Sequence, residues 1–226
     1  MQRYDIIQHL IDYHGYKSYL EIGICNTTFT YNTWKRVKCM HKVGVDPAIT
    51  YFKPEPLFSD EQTIDIWKKT SDEFFPELKS ETQFDLIFID GLHIADQVER
   101  DIQNSLRHLS PGGTIVLHDC NPPTLAHAGE EPEIFKGEGD NRHFVWCGTV
   151  WKAVSKLCGW SGLDFETVDT DWGVGILQLR AEIDYEVIME YIINKPSLSW
   201  ELFDKDRAQL LTLITVDEFK ARYPIA

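Results

Sequence analysis

Residues 84–119 read FDLIFIDGLHIADQVERDIQNSLRHLSPGGTIVLHD, and the fold follows from this stretch. Phe84 to Ile89 is a continuous apolar run of strand length ending on Asp90. An amphipathic helical pattern follows, then Pro-Gly-Gly, then a second apolar strand from Thr114 to Leu117 ending on His118-Asp119. Two apolar strands joined by a crossover helix read as a βαβ unit, which makes the strands parallel and buried on both faces. Parallel strands bring their carboxyl ends to one edge, where open α/β sheets build their sites. Asp90 and His118-Asp119 therefore belong to one edge, with His93 a turn away.

Working outward, the amino-terminal half repeats the unit. Tyr19 to Ile24 is a strand carrying Gly23, and Thr28 to Val37 is a helix. His41 to Val45 is a strand ending on Asp46-Pro47, and Thr63 to Trp67 is a further strand. A helix starts at Ser71, with Asp72 and Glu73 in its first turn. The alternation predicts an α/β fold: a doubly wound, mostly parallel sheet with helices on both faces. Beyond it, Thr149 to Cys158 is a helix. Asp164–Asp169 and Val174–Leu179 are strands about the turn Asp171-Trp172-Gly173. A turn that short makes a hairpin, so the last strand enters antiparallel.

At 226 residues the chain is expected to form one domain, 1–226, with a helical tail from about 184 to 226. The opening segment reads as an amphipathic helix with Ile6, Ile7, Leu10 and Ile11 on one face, not as a signal peptide. Residues 121–148 are rich in proline and glycine and lack a period. A loop that long is usually functional, and it starts next to Asp119, so a lid over the site is expected. The apolar Phe144, Val145 and Trp146 would give it something to cover with.

The formal net charge is −14, from 36 acidic and 22 basic residues. Such a chain repels phosphate backbones and anionic bilayers, so neither nucleic acid nor membrane is an expected partner. Five cysteines without CxxC spacing point to a reduced, cytoplasmic protein. No motif bears on oligomeric state.

The chemistry lies at the strand ends. Gly23, between the first strand and first helix, lets a ligand approach the backbone. Asp46, roughly 20 residues on, suits a grip on ribose hydroxyls. A full GxGxxG is absent, which disfavours a pyrophosphate cradle and points to an adenosine compound without a diphosphate. A nicotinamide-dependent oxidoreductase and a non-catalytic nucleoside-binding module are the alternatives.

With LEIGICNTT at 20–28, GVDP at 44–47, TSDEFF at 70–75, FDLIFIDGLH at 84–93 and LSPGGTIVLHD at 109–119 in this order, the chain resembles the class I S-adenosylmethionine-dependent methyltransferases. The match spans about residues 17 to 180. Within that family it is most similar to small O-methyltransferases acting on sugar or natural-product hydroxyls. The resemblance implies a Rossmann-like methyltransferase fold and S-adenosylmethionine as cofactor. It implies Glu21 and Gly23 at the cofactor's amino-acid end, Asp46 on the ribose, Ser71 and Asp72 by the adenine, and Asp90 beneath the sulfonium. The acceptor would be a small molecule such as a sugar.

Asp90, His93, His118 and Asp119 form the candidate catalytic cluster. Two carboxylates with imidazoles suit Mg²⁺ or another divalent metal, with Asp90 and Asp119 as metal ligands. A metal there would lower the pKa of an attacking hydroxyl. Without one, His93 or His118 would be the general base.

Overall fold

The structure, a computed structural model, describes residues 1–25, 32–49, 61–131, 134–136, 142–144, 146–160, 162–180 and 185–225. Its core is an eight-stranded sheet. The strands are β1 (Ser18–Ile22), β2 (His41–Val45), β3 (Thr63–Trp67), β4 (Phe84–Ile89), β5 (Leu109–Leu117), β8 (Leu163–Val168), β9 (Val174–Leu179) and β10 (Leu213–Ile214), in the spatial order β10-β8-β9-β5-β4-β1-β2-β3. β1 to β5 are parallel. β9 pairs antiparallel with both β5 and β8. β10 is parallel to β8. The order reverses direction at β1, so the crevice between β1 and β4 is the switch point at which such sheets bind ligands.

Alternation along each strand feeds two cores. On β4, Ile87 and Ile89 face one cluster, while Leu86 and Phe88 face the other. Helix α1 (Arg3–His14) packs Ile6, Ile7, Leu10 and Ile11 into the Phe88 side, with Trp34 of α2 (Thr33–Arg36) and Phe219 of α8 (Val216–Arg222). The opposite side takes Phe74 of α3 (Ser71–Phe74) and Val98, Ile102 and Leu106 of α4 (Ala95–Arg107). Trp151 of α5 (Val150–Ser155), Ile188 of α6 (Tyr185–Asn194) and Phe203 of α7 (Trp200–Leu210) complete it. Full burial of each aliphatic side chain is worth about 1.5–3 kcal/mol, and Phe88→Ala would cost about 3–5 kcal/mol. Helices on both faces and one reversed strand are the architecture read from the sequence.

Local chemistry sets the helix ends. Asp5 accepts the Gln2 N–H at 2.9 Å before α1, and Gly15 closes it in the left-handed conformation at φ 70°. Helix α4 begins without a polar cap of its own. Thr149 supplies one from across the chain, its Oγ1 accepting the Ala95 N–H at 2.8 Å.

The differences from sequence expectation are local. Helix α3 starts at Ser71 as expected, and its cap is Thr70, whose hydroxyl accepts the Glu73 N–H at 3.2 Å. The Pro-Gly-Gly at 111–113 is not a clean turn before the strand: β5 runs through it, with a register shift against β4. The expected loop 121–148 contains a short 3-10 turn (Leu125–His127) and an antiparallel pair, β6 (Ile134–Lys136) and β7 (Arg142–Phe144). The two-residue strand β10 is too short to leave a periodic signal. Asn26, Thr27 and Thr28, Val145 and the Phe144 side chain, on which part of these expectations rests, lie outside the described residues. Among the described residues, no helix is long and apolar enough to cross a membrane.

Candidate active site

Gly23 shapes the first turn. Its φ of 94° lies in the left-handed region, and a Cβ would collide with the backbone oxygen of Asp90. The turn is pinned by the Gly23 N–H, which donates to Val45 O at 2.8 Å. Close approach is thus first an approach of β1 to β4, and the ligand surface forms beside it. Asp46 ties the same turn from β2: its Oδ2 accepts the Cys25 N–H at 2.8 Å, and its Oδ1 accepts the Ala48 N–H at 2.7 Å.

A cavity of about 420 Å³ opens between these elements. Gly23, Asp46, Ser71 and Asp90 line it, together with Leu92 and Gln97, which sequence reasoning did not single out. Its walls carry Ile22, Val45 and Pro47. An apolar cleft with a few convergent polar groups is what a nucleoside needs. Gln97 is held in place from behind, since its Nε2 lies 3.1 Å from Ser71 Oγ and 3.0 Å from Asp101 Oδ1. Burial pushes the Asp101 carboxyl up to about 6.

Two expected cofactor residues sit elsewhere. Asp72 faces Arg100 at 3.3 Å on the surface and does not line the cavity. Glu21 lies on the α1 face of β1, buried, with the Tyr19 hydroxyl donating to Oε2 at 2.6 Å. Burial raises its carboxyl to about 8, against the pull of the Tyr19 hydrogen bond and the Lys42 charge.

Asp90, His93, His118 and Asp119 converge. His93 Nε2 lies 3.3 Å from Asp90 Oδ1, and His93 Nδ1 lies 3.3 Å from Asp119 Oδ2. His118 Nδ1 lies 3.3 Å from Asp90 Oδ1 and 3.1 Å from Asp119 Oδ2. The two carboxylates therefore share two imidazoles, which offsets their mutual repulsion. Burial works against charge on His118, but Asp119 and Asp90 raise its pKa well above the usual value. His93 is raised the same way, by Asp90 and Asp119 against burial. Burial likewise opposes the Asp90 charge, yet His118 and His93 hold that carboxyl far below its ordinary range.

Two further residues complete the cluster. Arg3, at the start of α1, places Nε 3.5 Å from Asp90 Oδ2 and Nη1 3.0 Å from Asp171 Oδ2. Asp171, in the β8–β9 turn, lies 3.5 Å from His118 Nε2, and these partners bring its carboxyl down to about 2 despite burial. Nothing in the sequence flags Arg3, since the amphipathic period of α1 explains only its apolar face. The segment that ends at Gly148 also reaches in. Trp146 lies against His93 with ring centroids 5.2 Å apart, and its carbonyl oxygen is 3.2 Å from His93 Nδ1.

The residues fit both groups implied by the sequence. Among the described residues, Asp90, His93 and Asp119 each offer a ligand atom within 4.8 Å of the others. Asp119 Oδ1 is buried without a hydrogen-bond partner, which leaves a lone pair for a cation or a substrate proton. The Asp46–Ser71 cavity offers carboxylate, hydroxyl and apolar walls for a ribose and a base.

A protein-family profile described as "Methyltransferase domain" matches residues 21–120. Among solved structures, the chain is similar to the S-adenosylhomocysteine-bound methyltransferase PaMTH1 of Podospora anserina. That match has 15% identity and a TM-score of 0.52, covering 79% of this chain and 78% of that one. Cofactor-bound Rv0187 from MTB aligns at 14% identity and a TM-score of 0.51, covering 78% of this chain and 79% of that one. At such identities these two speak for the fold. No curated protein sequence matches the chain.

Proposed function

We propose that the chain, whose residues 21–120 match a methyltransferase-domain profile, is a class I S-adenosylmethionine-dependent methyltransferase that methylates a hydroxyl of a small acceptor, a sugar or a sugar-like natural product. One observation carries this reading. Asp90 belongs to both halves of the site: it lines the cavity with Gly23 and Asp46, and it meets His93 and His118 in the acidic cluster. A donor in the cavity and an acceptor on the cluster would therefore face each other across Asp90.

When bound, S-adenosylmethionine supplies an electrophilic methyl carbon. Asp46 would take the ribose hydroxyls with the lone pairs its two backbone contacts leave over. Ser71 and Gln97 would meet the base. Gly23 and Asp90 would border the sulfonium end, where a carboxylate kept ionised by its histidines favours positive charge. Glu21 and Asp72 would act behind these groups, Glu21 through its hydrogen bond with Tyr19 on β1 and Asp72 in holding Gln97 at 3.2 Å.

On the acceptor side, Asp119 would hold the hydroxyl, with His93 and His118 fixing the carboxylate. A divalent ion, if taken up, would sit on Asp90, His93 and Asp119 and acidify that hydroxyl. In the metal-free version His93 is the base, since His118 is already engaged with three carboxylates. Trp146 would shield His93 from water, which is the part of the expected lid that bears on chemistry. The acidic surroundings favour an uncharged acceptor over nucleic acid or a membrane surface. Five free cysteines, three of them buried, are in keeping with a reduced cytoplasmic setting.

Incubation with S-adenosylmethionine and a panel of neutral sugars and phenols tests the reading by release of S-adenosylhomocysteine together with a methylated product. Cofactor binding without turnover on any hydroxyl acceptor would overturn it.

A further inference from the structure

The β8–β9 turn contains a residue its fold does not call for. Gly173 N–H donates to Thr170 O at 2.8 Å, closing a four-residue turn whose central residues, Asp171 and Trp172, have φ of 48° and 60°. Left-handed values at both positions define the tight hairpin turn that Asn-Gly or Asp-Gly makes without strain. Asp171 suits its place, and its carboxylate is used by Arg3 and His118. Trp172 does not: a bulky side chain with positive φ is strained, and such strain gathers at functional sites.

Nor does packing account for it. Trp172 is 41% exposed and belongs to neither core cluster. It stands over the site instead, its ring centroid 6.3 Å from that of His118 at an interplanar angle of 43°. The turn is clamped in this position. Cys120 N–H donates to Gly173 O at 3.1 Å, and Asn121 N–H donates to Trp172 O at 2.8 Å, so the backbone that carries the indole is fixed to the residues that follow Asp119. Each imidazole of the cluster thus has an indole beside it, Trp146 at His93 and Trp172 at His118, and of the two Trp146 is half-buried while Trp172 is exposed.

We propose that Trp172 is the platform on which the acceptor ring stacks, and so a specificity-determining residue of this site. The ligand class is an uncharged pyranose. Its apolar face would cover the exposed indole, and its hydroxyls would meet the carboxylates of Asp119 and Asp90. A rigid aromatic surface beside a dense set of hydrogen-bond acceptors matches a ring with one apolar face and many hydroxyls. The proposal rests on the acceptor reading above and adds the surface that selects the ring.

The test is nuclear magnetic resonance of the ¹⁵N-labelled indoles, with methyl α-D-glucopyranoside as the probe, with and without S-adenosylhomocysteine. Trp172→Gly identifies the signal and suits the left-handed backbone. The sugar should shift the Trp172 indole signal. In Trp172→Gly the sugar should bind about tenfold more weakly, the equivalent of one lost ring contact. That variant should keep its affinity for S-adenosylhomocysteine and melt at the same temperature or higher, because strain is released. A Trp172 signal unmoved by the sugar overturns the proposal. So does a variant that melts well below the parent, which would make Trp172 a packing residue. Failure of the parent protein to bind S-adenosylhomocysteine would instead count against the methyl-transfer reading, and the sugar-dependent shift is read independently of it.

Discussion

Asp119 follows His118 in sequence, yet its Oδ2 lies 3.1 Å from His118 Nδ1. Neighbours on a strand point to opposite faces, so a regular β5 would keep these side chains apart. Asp119 leaves the strand with φ at 60°, in the left-handed region, and this swings its carboxylate back onto the preceding ring. The same swing brings it to His93 at 3.3 Å.

Asp119→Asn is the sharpest substitution in the cluster. Asparagine tolerates the left-handed backbone, so the turn should survive. The charge that holds both imidazoles is removed. Methyl transfer should fall ~100-fold or more, the scale of a lost acid–base group, with S-adenosylhomocysteine affinity nearly unchanged. Wild-type turnover in this variant would remove Asp119 from the chemistry.

Metal and proton compete for His93. An imidazole binds a cation only when neutral, and its partners raise the His93 pKa. Affinity for Mn²⁺ or Mg²⁺ should therefore weaken as pH falls through that raised value, by about tenfold per pH unit below it. Calorimetric titration across the range checks this, and affinity independent of pH would exclude His93 as a ligand. Chelation separates the two versions of the reaction. Activity lost and then restored by Mg²⁺ or Mn²⁺ supports the metal; activity indifferent to chelator supports the histidine base.

Glu21 makes the stability of the fold fall between pH 4.5 and about 8. Burial raises its carboxyl from 4.5 to about 8. The folded chain therefore keeps a proton that the unfolded chain releases at lower pH. Its contribution to stability is largest below 4.5, declines as pH rises towards about 8, and is flat above. Glu21→Gln should flatten this part of the pH–stability curve and melt higher than the parent at pH above 8. Parallel curves for the two proteins would show that Glu21 titrates normally.

Much of the fold was legible because parallel strands are apolar on both sides and stand out as runs. β2, β3 and β4 begin and end where the sequence places them. The carboxyl-edge rule brought Asp90, His93, His118 and Asp119 to one place from positions far apart in the chain. What escaped notice depends on geometry without period. Arg3 reaches Asp90 only because α1 packs across the Phe88 face, and the sequence of a helix does not say what its first residue meets. Asp171 and Trp172 read as turn residues, and nothing short of the folded hairpin shows that the turn leans on His118. Glu21 read as a cofactor contact, yet strand alternation turns its side chain to the face opposite the cavity-lining Ile22.

Gly23 offers a check on the close packing of β1 and β4. A Cβ at this position would collide with Asp90 backbone oxygen, and the φ of 94° is strained for any other residue. Gly23→Ala should destabilise the fold by more than about 1 kcal/mol and weaken cofactor binding with it. A variant as stable as the parent and equal in affinity would show that the two strand ends are not packed this tightly.

The central claim is that the cavity beside Gly23 holds an adenosine cofactor by its ribose on Asp46. Calorimetry with S-adenosylhomocysteine on the parent and on Asp46→Asn tests it most directly. The parent should bind. The variant keeps the size of the side chain but loses charge-assisted hydrogen bonds, and affinity should fall by ~2–4 kcal/mol. Equal affinity in the two proteins, or tighter binding of NAD than of S-adenosylhomocysteine by the parent, would contradict the account.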